Sequence, residues 1–278
     1  MKNTLKYKMN IVIVIIICLL LICCEEEIKW NLKTEQQNTI VVEGLISNEF
    51  KIHTIKLSKP IYELNADPEP VTGALVAVYY QNNTIIFEED IYNQGYYNTL
   101  NEIALPSGYK YRLYINNEGV EYYASDFMPV LFNNSPLTYE SDSTLYKISY
   151  VADQYVLEGQ ATMYKIFLNW SHVEGYNHLP EDSCKAQVNY YSLTTIDINQ
   201  SINPNIEPIR FPKGTIIIEK QYSLSKQHEE FIRSMLIESE WRGGLFDVEK
   251  ANIRGNISNG AFGFFGASTV KIDTILVQ

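Results

Sequence analysis

Six residues of one polar stretch come closest to a set that could do chemistry: His172, Glu174, His178, Glu181, Asp182 and Cys184. Two imidazoles with a carboxylate or a thiolate can bind zinc. Their spacing matches no standard zinc pattern, and a polar loop loses conformational entropy when it gathers ligands. His172 and His178 are therefore expected to hold no metal. Acidic runs such as Glu88-Glu89-Asp90 could serve acid–base or glycosidase chemistry. A chain with 33 acidic residues makes such runs by chance, and glycosidase work needs a set carboxylate separation in space. The sequence has no Gly-x-Ser-x-Gly elbow, phosphate loop, His-Glu-x-x-His or Asp-rich calcium loop. The expectation is a protein with no catalytic residues and no cofactor.

The cysteines point to a different chemistry. Lys2, Lys6 and Lys8 precede an apolar run, Ile11–Ile22, which ends in Cys23-Cys24 and then Glu25-Glu26-Glu27. A basic end, a short apolar core and a small-residue boundary make a secretory leader. The run falls short of the roughly 20 apolar residues that a membrane-spanning helix needs. Cysteine at the boundary makes it a leader of the lipoprotein type, whose acceptor cysteine follows a small residue. In Leu21-Ile22-Cys23-Cys24 that residue is Cys23; in Leu20-Leu21-Ile22-Cys23 it would be the bulky Ile22. Cys24 is thus the expected lipidation site and 1–23 the signal peptide. Several acyl tails at about 0.8 kcal/mol per buried methylene make such an anchor effectively permanent. Cys18 and Cys23 leave with the leader, so Cys184 stands alone and no intrachain disulfide is available. It is expected to be an inert thiol.

Net charge and composition narrow the partners. The formal charge is −11 and the pI about 4.9, and losing the three leader lysines makes the chain more acidic still. Nucleic acid is excluded as an expected partner, because phosphate binding needs a basic surface. At 46% hydrophobic the chain can bury its core without disulfides.

The elements that must position these residues read as β. Residues 24–37 form an acidic and polar tether. Short runs of β-branched and aromatic residues, cut by Asn, Gly and Pro, predict strands near 39–46, 53–58, 74–80, 84–88, 95–97, 108–115 and 121–127. Gln81-Asn82-Asn83 and Asn116-Asn117-Glu118-Gly119 predict tight turns. Seven short strands at this spacing suggest a β-sandwich over 38–130. The proline-marked stretch 128–136 reads as a boundary. A second β-rich domain over 131–278 has strands near 144–151, 159–170, 186–198, 214–222 and 270–277, and one amphipathic helix over 225–240. Ser225 is its N-cap, Phe231, Ile232, Met235 and Leu236 are its buried stripe, and Gly243-Gly244 is its stop. Mainly β, in two tandem sandwich-like domains, is the expected fold class. Tyr79-Tyr80, Tyr96-Tyr97, Tyr122-Tyr123 and Tyr190-Tyr191 each put one ring inward and one outward if they lie in strands. The outward rings suit a sugar or a protein partner. Phe262, Phe264 and Phe265 are expected in the core.

Several segments together carry a family resemblance: Val42-Glu43-Gly44, His53-Thr54-Ile55-Lys56-Leu57-Ser58, Val71-Thr72-Gly73-Ala74-Leu75-Val76, Gly95-Tyr96-Tyr97, Gly108-Tyr109-Lys110-Tyr111 and Tyr122-Tyr123-Ala124. The Gly- and Phe-rich stretch from Asn252 to Ser268 is its most specific part. The chain resembles the Bacteroidota outer-membrane lipoproteins catalogued as domain of unknown function 4249, from about residue 25 to 270. The resemblance implies a transthyretin-like or carboxypeptidase-regulatory-like first half. It also implies a gene neighbourhood rich in TonB-dependent transporters of the starch-utilisation type. It supplies no catalytic residues. In that phylum an acidic run directly after the lipid cysteine resembles the signal for surface display, which casts Glu25, Glu26 and Glu27 as the export signal.

The functional expectation is a lipid-anchored outer-membrane protein facing the cell exterior. It would act as an accessory to a TonB-dependent transporter in nutrient uptake. The alternatives are an adhesive or structural surface lipoprotein and, less favoured, a hydrolase.

Overall fold

The chain alternates inward and outward residues in 14 strands, which a computed structural model describes over residues 39–62, 65–131, 137–151, 160–194, 208–239, 253 and 255–278. In chain order they are β1 Val41–Ser47, β2 Thr54–Ser58, β3 Leu75–Tyr80, β4 Asn83–Glu89, β5 Tyr96–Thr99, β6 Lys110–Asn117, β7 Val120–Phe127, β8 Thr138–Asp142, β9 Leu145–Tyr150, β10 Thr162–Asn169, β11 Lys185–Ser192, β12 Ile216–Ser223, β13 Phe262–Ser268 and β14 Val270–Leu276. One α-helix, α1 Lys226–Ser239, lies among them. The predicted mainly-β class with a single helix near the C-terminus is what the described residues form. The signal peptide, Cys24, Glu25–Glu27, the tether and the predicted Gly243-Gly244 stop lie outside the described residues.

Eight strands form one sheet in the order β13-β1-β2-β5-β4-β3-β6-β7. Its period-two pattern sends Val42, Ile46, Ile55, Leu57, Val76, Val78, Phe87, Tyr97, Tyr111, Leu113, Ile115, Tyr122 and Phe265 into one core. The predicted turns close its hairpins. Glu118 and Gly119 both have positive φ, 51° and 85°, and Gly119 N–H donates to Asn116 Oδ1. That is the primed two-residue turn whose twist matches the flanking strands.

The two edges, β7 and β13, face each other and are joined largely by side chains. Asn256 accepts from Phe265 N at 2.9 Å and donates to Phe265 O and Ser125 O, at 2.8 and 3.3 Å. Asp126 accepts from Ala267 N at 2.9 Å. Ser258 exchanges bonds with the Tyr123 backbone, both at 2.8 Å. An amide and a carboxylate thus take backbone partners that a further strand would otherwise provide. The result is barrel-like.

A second, antiparallel sheet has the order β11-β10-β12-β14. The β8–β9 hairpin covers one face, where Tyr139, Tyr146 and Ile148 meet Tyr164, Ile166, Leu168 and Ile217. Helix α1 covers one end of the other face, setting Ile232 and Leu236 on Met163, Tyr222 and Val270.

Three expectations need correction. The division at 130/131 does not describe β13, which pairs in parallel with β1 from Val41↔Phe262 to Ser47↔Ser268. From there the chain passes through Thr269 directly into β14 of the second sheet, so residues 39–278 form one compact unit. Local periodicity marks a strand but cannot name a partner more than 200 positions away in sequence. No strand is predicted over β8, between the boundary stretch 128–136 and the strand expected near 144–151, because most of its residues are polar and solvent-facing. Phe262 is exposed, while Phe264 and Phe265 are buried. Phe265 enters the barrel core, and Phe264 points outward but is capped by His228 and Phe231, at 4.8 and 4.6 Å between ring centroids. Phe262 shares the outward side of Phe264 but carries no such cap.

Candidate functional site

The tyrosine pairs sort as the strand period requires. Tyr97 and Tyr122 are fully buried, whereas Tyr79, Tyr96 and Tyr123 face solvent. Tyr190 and Tyr191 are both half-buried, because the β8–β9 hairpin and α1 cover opposite faces of β11 at that point.

The outward residues converge on the β6–β7 hairpin. Register sets Asn116 opposite Glu121, Tyr114 opposite Tyr123, Arg112 opposite Ser125 and Lys110 opposite Phe127. With about 6.8 Å between successive outward residues, this makes a continuous track along one face. The Tyr114 and Tyr123 rings lie 5.4 Å apart, tilted by 49°. Both phenols donate to Glu121, at 2.8 and 2.7 Å. These bonds hold the Glu121 carboxyl below its usual range, and the carboxylate in turn pushes the Tyr123 phenol up to about 12. The shared carboxylate holds both rings on the outward side of the hairpin, where Tyr123 is exposed and Tyr114 half-buried. Tyr79, Leu75 and Ile86 extend the apolar area across β3 and β4.

At its other end the track opens into a cleft of about 480 Å³ lined by Lys110, Phe127, Pro129, Gln160, Leu224 and Lys226. Asp126 lies at its base, 2% exposed. Its carboxylate accepts from Ser225 Oγ, from Phe127 N at 2.9 Å and from Ala267 N. Ser225 Oγ in turn accepts from His228 N at 3.0 Å, which is the predicted N-cap bond of α1. Burial raises the Asp126 carboxyl to about 6, against the pull of these donors and of Lys110. Sequence reasoning missed this cleft, because its walls come from residues 110, 125–127, 129, 160 and 224–227. The even spacing of Tyr123, Ser125 and Phe127 was the available signal.

The polar stretch 171–184 does not gather. His172 is exposed and donates through Nε2 to Gly214 O at 2.9 Å, and His178 is exposed. Cys184 is fully buried, with its thiol 3.7 Å from Tyr176 O. Among the described residues no three His, Cys, Asp or Glu side chains lie close enough to hold a metal ion. His53 is a core residue whose Nε2 donates to Ile103 O at 3.0 Å. The carboxylates of Glu89 and Asp90 serve the backbone instead. Glu89 accepts from Gly73 N and Gly95 N, and Asp90 from Tyr92 N and Asn93 N. The arrangement that remains suits recognition: fixed aromatic faces beside cations, leading to an open cleft.

No curated protein matches the chain. A family model described as Domain of unknown function (DUF4249) matches residues 25–273, from the acidic run after Cys24 to the middle of β14. The match takes in the barrel, its closing segment and the second sheet together, and the chain belongs to this family, the domain of unknown function DUF4249.

Proposed function

We propose that the protein is a non-catalytic binding lipoprotein, acylated at Cys24 and displayed on the outer membrane, which serves a TonB-dependent transporter in nutrient uptake. The observation that carries this reading is the track of fixed aromatic and cationic side chains from Tyr114 and Tyr123 to the cleft at Lys110 and Phe127. Rigid tyrosines bury large area at low entropic cost, so such a track suits a protein or sugar surface. The leader at 1–23 and the acidic run Glu25–Glu27 support the location, and the acidic composition suits an exposed surface.

Extraction of outer membranes in mild detergent tests the proposal. The transporter should co-purify with the wild-type chain and be depleted at least fivefold with Tyr114→Ala/Tyr123→Ala, while Cys24→Ala should leave the membrane fraction altogether. A wild-type chain that runs alone, in a strain whose uptake survives its deletion, would instead fit an adhesive role.

A further inference from the structure

Among the described residues, the part of the second sheet that α1 does not cover carries a cluster of like charges. On the face carrying α1, register sets Lys165 of β10 directly opposite Lys220 of β12. Like charges directly opposed on one face of a sheet repel. One carboxylate answers them: Glu49 binds Lys220 and Lys51, both at 2.7 Å. Among the described residues, Lys165 Nζ has no ion-pair or hydrogen-bond partner and rests 5.6 Å above the centroid of the Tyr222 ring. Lys165 is half-buried, and desolvation together with Lys51 and Lys220 lowers the pKa of its ammonium, against the pull of Glu49. Three ammonium groups around one carboxylate leave an excess of positive charge, in a chain whose net charge is −11.

The same face continues as apolar surface. Phe167 stands opposite Ile218, Lys220 opposite Ile272, and Ile216 opposite Leu276. Ile218, Ile272 and Leu276 are 36%, 48% and 56% exposed. Among the described residues, α1 packs on Met163, Tyr222 and Val270 rather than on these rows.

We propose that Lys165, flanked by Lys220 and Lys51, is the head-group site for a small amphiphilic anion, a carboxylate or phosphate whose apolar body lies on Phe167, Ile218 and Ile272. The anion supplies the missing countercharge, and the apolar body covers the open rows. This site stands apart from the β6–β7 track and does not depend on it.

The test uses the full chain in zwitterionic nanodiscs with its lysines reductively ¹³C-methylated, the Lys165 signal being assigned with Lys165→Arg. Butyl phosphate, octanoate, octanol and inorganic phosphate are the probes. Octanoate and butyl phosphate should shift the Lys165 signal and raise its pKa by about one unit, because an opposing charge favours the ammonium. Octanol should leave that signal in place, and inorganic phosphate should bind at least tenfold more weakly than butyl phosphate. Ile218→Ser, at an exposed position, should weaken octanoate severalfold without moving the unliganded spectrum elsewhere. Lys165 signals that ignore both organic anions, or that respond equally to octanol, would overturn the proposal. Inorganic phosphate binding as tightly as butyl phosphate would overturn the amphiphile assignment.

Discussion

Asp126 gives both carboxylate oxygens to groups from three parts of the chain, Phe127 N, Ser225 Oγ and Ala267 N. It therefore ties the barrel seam to the N-cap of α1. Its carboxyl is raised from 3.8 to about 6, chiefly by burial. A carboxyl raised in the folded state favours folding while protonated, and that advantage is lost as pH climbs from about 4 through about 6. The displacement corresponds to about 3 kcal/mol. Asp126→Asn stays neutral but turns an amide N–H toward one of these donors, a loss of about 1–3 kcal/mol. The wild type should exceed Asp126→Asn in stability most at pH 4, and the gap should narrow toward pH 7. Urea midpoints across that range measure it; a gap that widens with pH would show that the ionised form is the favoured one.

At the scale of elements, the seam depends on a glycine in the parallel pair β1–β13. Gly263 has φ 92°, and a Cβ there would run into the carbonyl oxygen of Val42. Gly119, in the β6–β7 turn, has φ 85° but nothing within 4 Å of its would-be Cβ. Both substitutions to alanine incur the left-handed backbone cost of roughly 1 kcal/mol. Only Gly263→Ala adds a backbone collision that must push β13 from β1, for a total of about 3 kcal/mol. Chemical denaturation of the two variants should separate them by that margin, and equal losses would mean that β13 yields freely. The sequence predicts the Gly119 turn but no strand over β13, where it marks only a Gly- and Phe-rich stretch. It could not show that Gly263 is a contact.

Across the whole molecule, Glu49 links the barrel to the second sheet, since it leaves the end of β1 to bind Lys220 of β12. Burial alone would raise its carboxyl, but the Lys220 and Lys51 hydrogen bonds outweigh that and bring it from 4.5 to about 2. A lowered carboxyl contributes stability above its unfolded value, and this contribution fades as pH falls from about 4.5 toward 2. Glu49→Gln should cost about 2 kcal/mol at pH 7, less than the full displacement implies because solvent reaches the lysines. The cost should fade below pH 3 in thermal melts. A constant cost at all pH values would mark a packing loss rather than a lost ion pair.

The identity of most strands, the tight turns, the Ser225 cap and the inward–outward sorting of three tyrosine pairs follow from the sequence by itself. Each depends on neighbours within a few residues, where side-chain period and backbone preference act directly. Only the tertiary structure decided that β13 enters the first sheet, that Asp126 and Asn256 close its edges, and that Lys165 faces Lys220. Those outcomes depend on which distant segments bury the same surface. Pairing across more than 200 positions is set by packing and register across the whole fold, which no local window contains.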